Sequence, residues 1–250
     1  MSLELKKASI FRNRRAILDD ATFACMPGRF TALCGANGAG KTTALSVLSG
    51  ALKPQTGHAY LEGAAIRAIP PQDLARRRAV VSQISMLTFP FEVHEVVSMG
   101  RGPHHGTPAA GKDEEIVAQV MALMDLYPLA EQRFTTLSGG ERQRVHIARA
   151  LAQVWESPSE NQARWLLLDE PTSALDLKHQ LLLMDLLKGL TVKGWGVVAV
   201  LHDLHLVKSY TDDVVLFKNG KIAVTGETAE CLSPEQVQAL FDLPAPYNIS

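Results

Sequence analysis

Phe30-Thr31-Ala32-Leu33-Cys34-Gly35-Ala36-Asn37-Gly38-Ala39-Gly40-Lys41-Thr42 passes from an apolar run into a glycine-rich turn, and a helical pattern then continues to Leu48. The turn has the form G-x-x-x-x-G-K-[ST] and lies between a strand and a helix, the context this motif requires. Its glycines let backbone N–H groups curl around phosphate oxygens, and the helix start adds the positive end of its dipole. In that arrangement Lys41 reaches β- and γ-phosphates, and the Thr42 hydroxyl sits on Mg²⁺. Gly35, Asn37, Gly38, Gly40, Lys41, Thr42 and Thr43 are the candidate phosphate-binding residues.

Outward from this turn, four further apolar runs punctuate the chain: Ala79–Ser82, Trp165–Leu168, Val197–Leu201 and Val214–Phe217. They are continuous, not alternating, as strands buried on both faces of a mostly parallel sheet are. Helical patterns over Glu141–Val154 and Leu177–Leu190 separate them. Strands alternating with helices predict an α/β fold. Asn219-Gly220 lies between two strand-like runs and predicts a hairpin with a type I′ turn, which needs positive φ at both positions. Ser233-Pro234-Glu235-Gln236 has the signature of a helix start. Short β-like pieces flank Pro27-Gly28, and the polar stretch Glu156–Ala163 reads as an exposed loop.

The chain has 250 residues, with 25 Lys plus Arg against 26 Asp plus Glu, a net charge of −1, and 46% apolar residues. A core of ordinary size can form without disulfides or metals. Disorder is excluded by the balanced charge and apolar content, and the absence of net positive charge argues against a nucleic-acid partner. Cys25, Cys34 and Cys231 are odd in number and in no C-x-x-C spacing, so they are expected to be reduced thiols. The first residues, MSLELKKASIF, lack the apolar stretch of a signal peptide. No apolar run approaches the roughly 20 residues that span a bilayer, so the chain is not expected to cross a membrane by itself.

Two more motifs carry chemistry. Trp165-Leu166-Leu167-Leu168-Asp169-Glu170 is an apolar strand ending in adjacent carboxylates. Asp169 is the candidate Mg²⁺ ligand at the strand's end. Glu170 follows as the candidate group that orients, or takes a proton from, the attacking water. In Leu137-Ser138-Gly139-Gly140-Glu141-Arg142-Gln143, Ser138 and Glu141 form an S-x-x-E capping box. The two glycines leave the first helical amides bare, which makes a second anion-binding helix terminus. That is more than one nucleotide needs from one subunit. Either the chain folds the two helix ends together, or two chains share them.

The whole chain resembles the ATP-binding cassette ATPases, the nucleotide-binding subunits of transporters. The motifs that carry the resemblance occur in the family's order: GANGAGKT at 35–42, Gln83, LSGGERQ at 137–143, LLLDEP at 166–171, SALD at 173–176 and His202. The resemblance implies a P-loop NTPase (RecA-like) core with an N-terminal antiparallel β subdomain and an inserted α-helical subdomain. As one domain over 1–250, it implies a core of about 1–83 and 164–250 and a helical part of about 84–163. It further implies that ATP and Mg²⁺ are bound in a head-to-tail homodimer, where Ser138 and Gly140 of one subunit meet the γ-phosphate held by the P-loop of the other. On the same resemblance Gln83 approaches Mg²⁺ and the attacking water, His202 hydrogen-bonds the γ-phosphate, and Asp176 lies in a loop communicating between the sites. Glu170, His202 and Gln83 are then the catalytic set, and Thr42, Gln83 and Asp169 the metal set. Phe11 stands near the position where the family stacks adenine; it is either that residue or part of the core.

Gln83 to Gly106, QISMLTFPFEVHEVVSMGRGPHHG, resembles the subgroup that imports iron chelates, haem and cobalamin. FPFEV and the polar insertion at 156–163 are most similar to haemin importer ATPases. This implies an integral membrane permease and, indirectly, a periplasmic binding protein as partners, with the chain at the cytoplasmic face of the inner membrane. Iron-siderophore or cobalamin import is the alternative, and a soluble cassette ATPase of DNA repair or translation the more distant one. Such soluble proteins usually have long coiled-coil insertions or two cassettes, and this sequence shows neither, nor a basic tail. His104 and His105 are adjacent, hence expected to face different ways and not to ligate haem together. Arg76-Arg77-Arg78 reads as a solvated helix face or a strand lead-in.

Overall fold

The computed structural model describes residues 1–82, 87–156 and 162–241. In chain order the strands are β1 (Leu3–Arg12), β2 (Arg15–Cys25), β3 (Phe30–Gly35), β4 (Thr56–Leu61), β5 (Ala64–Ala65), β6 (Arg78–Val81), β7 (Trp165–Asp169), β8 (Gly196–Val200), β9 (Asp213–Lys218) and β10 (Lys221–Glu227). The helices are α1 (Lys41–Leu48), α2 (Pro71–Arg77), α3 (Val93–Ser98), α4 (Asp113–Leu123), α5 (Gly139–Gln153), α6 (Leu177–Val192), α7 (Leu204–Tyr210), α8 (Thr228–Cys231) and α9 (Pro234–Phe241). They fold as two compact units, residues 1–69 with 184–250, and residues 70–183.

In the first unit, β3 lies between β8 and β9 and is parallel to both, with Leu33 opposite Val200 on one side and Val215 on the other. Every residue of β3 and β8 is buried, which is why these segments read as unbroken apolar runs. β10 returns antiparallel beside β9, with Lys218 opposite Lys221. The two residues between them, Asn219 and Gly220, have φ of 50° and 80°, the mirror-image turn expected of an Asn-Gly pair. A separate antiparallel sheet in the order β2-β1-β4-β5 forms the N-terminal part. Asp212 and Asp213 anchor the start of β3: the Arg29 guanidinium donates to both Asp213 oxygens at 2.6 Å, and the Phe30 N–H donates to Asp212 at 2.8 Å. The helix start at Ser233 forms as read, its hydroxyl accepting from the Gln236 N–H at 3.3 Å.

In the second unit, β6 and β7 run parallel, with Arg78 opposite Trp165 and Val81 opposite Leu168. Helices α3, α4 and α5 pack around Val96, Val97, Val120, Val145, Ile147 and Leu151, all buried. Beside this apolar core lies a charge that the sequence does not advertise. The Arg101 side chain is only 3% exposed. Its guanidinium donates to Asp113 at 2.7 Å, Glu156 at 3.1 Å and the Ala152 carbonyl at 2.8 Å, joining the start of α4 to the end of α5. Without Arg101, Asp113 and Glu156 keep partial access to water, while the buried Ala152 carbonyl loses its charged donor. Arg101→Ala is therefore expected to lower stability by about 1.5–3 kcal/mol. Urea unfolding checks this, and a loss below about 1 kcal/mol, the range of exposed pairs, would contradict it.

Of the two readings of the arginine run, the strand lead-in holds, and its side chains are half-buried instead of solvated. Arg76 and Arg77 close α2, and Arg78 opens β6. Arg76 donates to the Pro103 carbonyl at 2.8 Å, and burial pulls the Arg78 guanidinium down to about 10. The helix-to-strand junction turns these side chains against protein. The three cysteines are free and buried, and burial pushes the Cys25 and Cys34 thiols up to about 12. Among the described residues no helix is long and apolar enough to cross a membrane.

Candidate nucleotide site

The P-loop forms where the sequence places it. β3 ends at Gly35 and α1 begins at Lys41, with Gly40 preceding it at φ 104° and no side chain capping the helix. A Cβ on Gly40 would stand 2.6 Å from the Ile17 carbonyl oxygen, so only glycine fits there. Gly38 is different: at φ 76° nothing lies within 4 Å of where its Cβ would be. The crown of the loop, Ala36, Asn37 and Gly38, is exposed. Uncapped helix amides beneath an exposed crown suit a group of phosphate size and charge. The Lys41 side chain is buried, and its ammonium donates to the carbonyls of Gly35 at 2.8 Å and Ala36 at 2.9 Å. Lys41 is thus folded along its own loop, with its charge kept at the loop and not in bulk solvent. Thr42 is exposed on the first turn of α1, and Thr43 is half-buried beside it.

The hairpin between β9 and β10 supports this loop. The Gly220 N–H donates to the Ala39 carbonyl at 3.1 Å, and the Gly220 carbonyl accepts from the Asp19 N–H at 2.8 Å. His202 follows β8, the parallel neighbour of β3. It therefore leaves the sheet at the carboxyl edge from which the P-loop also leaves, the usual ligand side of such sheets. Its ring is exposed, and the next residue, Asp203, caps α7 by accepting from the His205 N–H at 2.8 Å.

In the second unit β7 is wholly buried and delivers Asp169, itself 4% exposed, to its carboxyl end. Glu170 follows with φ +50°, a left-handed backbone that a residue with a Cβ rarely takes. The Ser138–Glu141 capping box is present: the Glu141 N–H donates to the Ser138 hydroxyl at 3.3 Å, and the Ser138 N–H to the Glu141 carboxylate at 2.7 Å. Hydrogen bonds from the Ser138 hydroxyl and then its N–H hold the Glu141 carboxyl below its ordinary range. A Cβ on Gly140 would stand 3.0 Å from the Ala174 carbonyl oxygen, so this glycine also admits the loop after Glu170 against the helix start.

A family model described as ABC transporter matches residues 18–173, a span that includes the P-loop, the capping-box helix and the two carboxylates. The chain belongs to the ABC transporter family. Its relatives include the hemin import ATP-binding protein HmuV of Gloeobacter violaceus, 42% identical over 92% of this chain and 83% of that protein. The protein of the same name from Mesorhizobium japonicum is 38% identical over 96% of this chain and 91% of its own length. Among solved structures, a dimeric ATP-binding cassette in a post-hydrolysis state with bound ADP and Pi superposes with a TM-score of 0.78. It is 25% identical, and the match covers 90% of this chain and 98% of that one. The α/β P-loop fold read from the sequence is the fold of this ABC cassette.

Other sequence-predicted residues fall as follows. Gln83 lies outside the described residues. Phe11 is 44% exposed near the end of β1, so it is not core; its backbone is bracketed by the Gln55 amide, at 3.2 Å to its N–H and 3.0 Å to its carbonyl. His104 and His105 do face different ways. His104 is buried with Nε2 2.8 Å from the Gln153 carbonyl, and burial lowers its pKa, while His105 is exposed. Asp176 precedes α6, and its carboxylate accepts from the His179 N–H at 2.9 Å and lies 2.8 Å from His179 Nδ1. Sequence reasoning missed Gln143 and Gln180, whose side-chain amides hold the loop between Glu170 and α6. Nothing in the sequence signals these contacts: Gln143 reaches Pro171 far ahead in the chain, and Gln180 reaches back to the loop before its helix.

Proposed function

We propose that this ABC chain is the ATP-binding and ATP-hydrolysing subunit of a haem importer. It acts as a homodimer bound peripherally, at the cytoplasmic face of the inner membrane, to integral permease subunits that a periplasmic binding protein supplies. The reading is carried by the relatives named for hemin import, which match at 42% and 38% identity over more than nine-tenths of the chain.

The residues fit that role. The P-loop amides and the Lys41 ammonium hold the negative charge of the triphosphate, which grows more demanding as the terminal phosphoryl group departs. Glu170 orients the attacking water and takes up its proton as the bond between the γ-phosphorus and the bridging oxygen breaks, leaving ADP and phosphate. His202 hydrogen-bonds the γ-phosphate, and Ser138 and Gly140 of the second subunit meet it across the dimer. Phe11, with its ring exposed, stacks on adenine. The Thr42 hydroxyl, the Asp169 carboxylate and the Gln83 amide are hard oxygen donors of the type Mg²⁺ takes alongside phosphates. Among the described residues there is no cluster of three His, Cys, Asp or Glu that would hold a metal independently. When bound, Mg²⁺ neutralises phosphate charge.

The test is reconstitution of the chain with its permease and binding protein in proteoliposomes, offering haem, cobalamin and an iron siderophore in turn. Haem alone is expected to raise ATP hydrolysis. Stimulation by cobalamin or siderophore without stimulation by haem would overturn the cargo, and hydrolysis indifferent to the permease would overturn the transport role.

A further inference from the structure

The loop from Glu170 to α6 is held by hydrogen bonds along its backbone. The Glu170 carbonyl accepts from the Ser173 N–H at 3.2 Å and the Ser173 hydroxyl at 3.0 Å. The Pro171 carbonyl accepts from the Gln143 amide at 3.3 Å, and the Thr172 carbonyl from the Leu175 N–H at 3.1 Å. Gln180, in the first turn of α6, donates through one side-chain nitrogen to two carbonyls, Thr172 and Leu175, each at 3.0 Å. A primary amide has two N–H donors, and both are spent on this loop. Two facing carbonyls also fix which end of the amide points inward, because its oxygen could not bond to either.

This clamp sits one loop away from a strained residue. A left-handed backbone at a residue with a Cβ costs about 1–2 kcal/mol and persists only where its surroundings enforce it. Glu170 stands at φ +50°, and its carbonyl is held by the Ser173 N–H and hydroxyl, so the loop that follows takes part in enforcing that conformation. We propose that Gln180 is a positioning residue for ATP hydrolysis: by spanning Thr172 and Leu175, its amide fixes the loop that begins at Glu170 and thereby the place of the Glu170 carboxylate. The inference rests on the proposed role of Glu170. Without the clamp the loop can relax, and a displacement of the order of an ångström at a group that handles the attacking water costs up to about a hundredfold in rate. Nucleotide binding, which depends on the P-loop between β3 and α1, is not affected.

Steady-state ATP hydrolysis by the full chain tests this with three variants. Gln180→Glu keeps the shape but, when ionised, presents only acceptors to the two carbonyls. Gln180→Ala removes the donors without adding charge, and Gln180→Lys restores a donor. The expected result is a kcat about tenfold or more below the parent for Gln180→Glu and Gln180→Ala, KM within about twofold, and a kcat for Gln180→Lys well above that of Gln180→Ala. The Gln180→Glu deficit should also shrink as pH falls, because the protonated carboxyl regains one donor. A merely structural role would lower the unfolding midpoint without the split between kcat and KM or the rescue by lysine. The inference is overturned if Gln180→Ala hydrolyses ATP at the parental rate, if KM rises in step with the fall in kcat, or if Gln180→Lys is no better than Gln180→Ala. If Gln180→Glu does not fold, the alanine and lysine variants decide. Failure of the underlying reading looks different: the parent would not hydrolyse ATP, or Glu170→Gln would match it.

Discussion

Glu170→Gln is expected to lower ATP hydrolysis by about 10²–10⁴-fold while leaving nucleotide affinity near that of the parent. The substitution is nearly isosteric and keeps an oxygen that can accept a hydrogen bond, but it removes the basicity needed to take a proton from water. It also asks nothing new of the backbone. Glutamine at φ +50° bears the same left-handed strain as glutamate, so the fold around the end of β7 should be preserved. Asp169, buried at the strand end, is untouched and keeps its proposed role toward the metal. With binding intact and turnover lost, the ATP-bound chain should accumulate as a dimer. Single-turnover hydrolysis, nucleotide titration and size-exclusion chromatography with and without ATP check the three parts. Hydrolysis within about threefold of the parent would remove Glu170 from the chemistry. Loss of affinity in proportion to rate would make it a binding residue instead.

Much of the fold could be read from the chain because the deciding elements are set by local backbone chemistry. A Gly-x-x-x-x-Gly-Lys-Thr turn needs conformations that few residues supply, Asn219-Gly220 needs positive φ twice, and Ser138 with Glu141 satisfies helix-end amides within four residues. Each signal lies inside a short window, and the structure shows each feature in place. What stayed hidden depends on residues far apart in sequence. The support of the P-loop by Gly220 spans from Ala39 to the β9–β10 hairpin, and Arg101 joins partners at Asp113 and Glu156. Phe11 could not be assigned to core or surface because β1 loses its two-residue alternation. Register shifts against β2 fall between Leu5 and Ala8, between Ala8 and Ile10, and between Ile10 and Phe11. Each shift resets which face a side chain takes. The left-handed Glu170 is the sharpest case, since nothing in Asp-Glu-Pro announces it and it arises only in the folded chain.

Lys41→Met should weaken ATP binding by about 10–100-fold and leave AMP binding nearly unchanged. The Lys41 ammonium is buried and lies 2.8 and 2.9 Å from the Gly35 and Ala36 carbonyls, so its charge is held at the loop by the loop itself. A charge-assisted hydrogen bond to phosphate contributes about 1.5–3 kcal/mol, and each 1.4 kcal/mol is a factor of ten in affinity. Methionine preserves most of the aliphatic stem and its packing, so the difference isolates the ammonium. Two loop carbonyls lose their donor, yet the loop keeps its other ties, the Ala39 N–H to Ala36 at 3.1 Å and the Gly220 N–H to Ala39 at 3.1 Å. Large unfolding is therefore not expected, and a thermal melt without nucleotide checks that. The choice of ligands carries the argument. If Lys41 acts on the β- and γ-phosphates, a ligand with only an α-phosphate should not register its loss. Equal weakening of ATP and AMP would mean that the substitution had disordered the whole loop, and unchanged ATP affinity would mean that the helix-terminal amides alone hold the triphosphate.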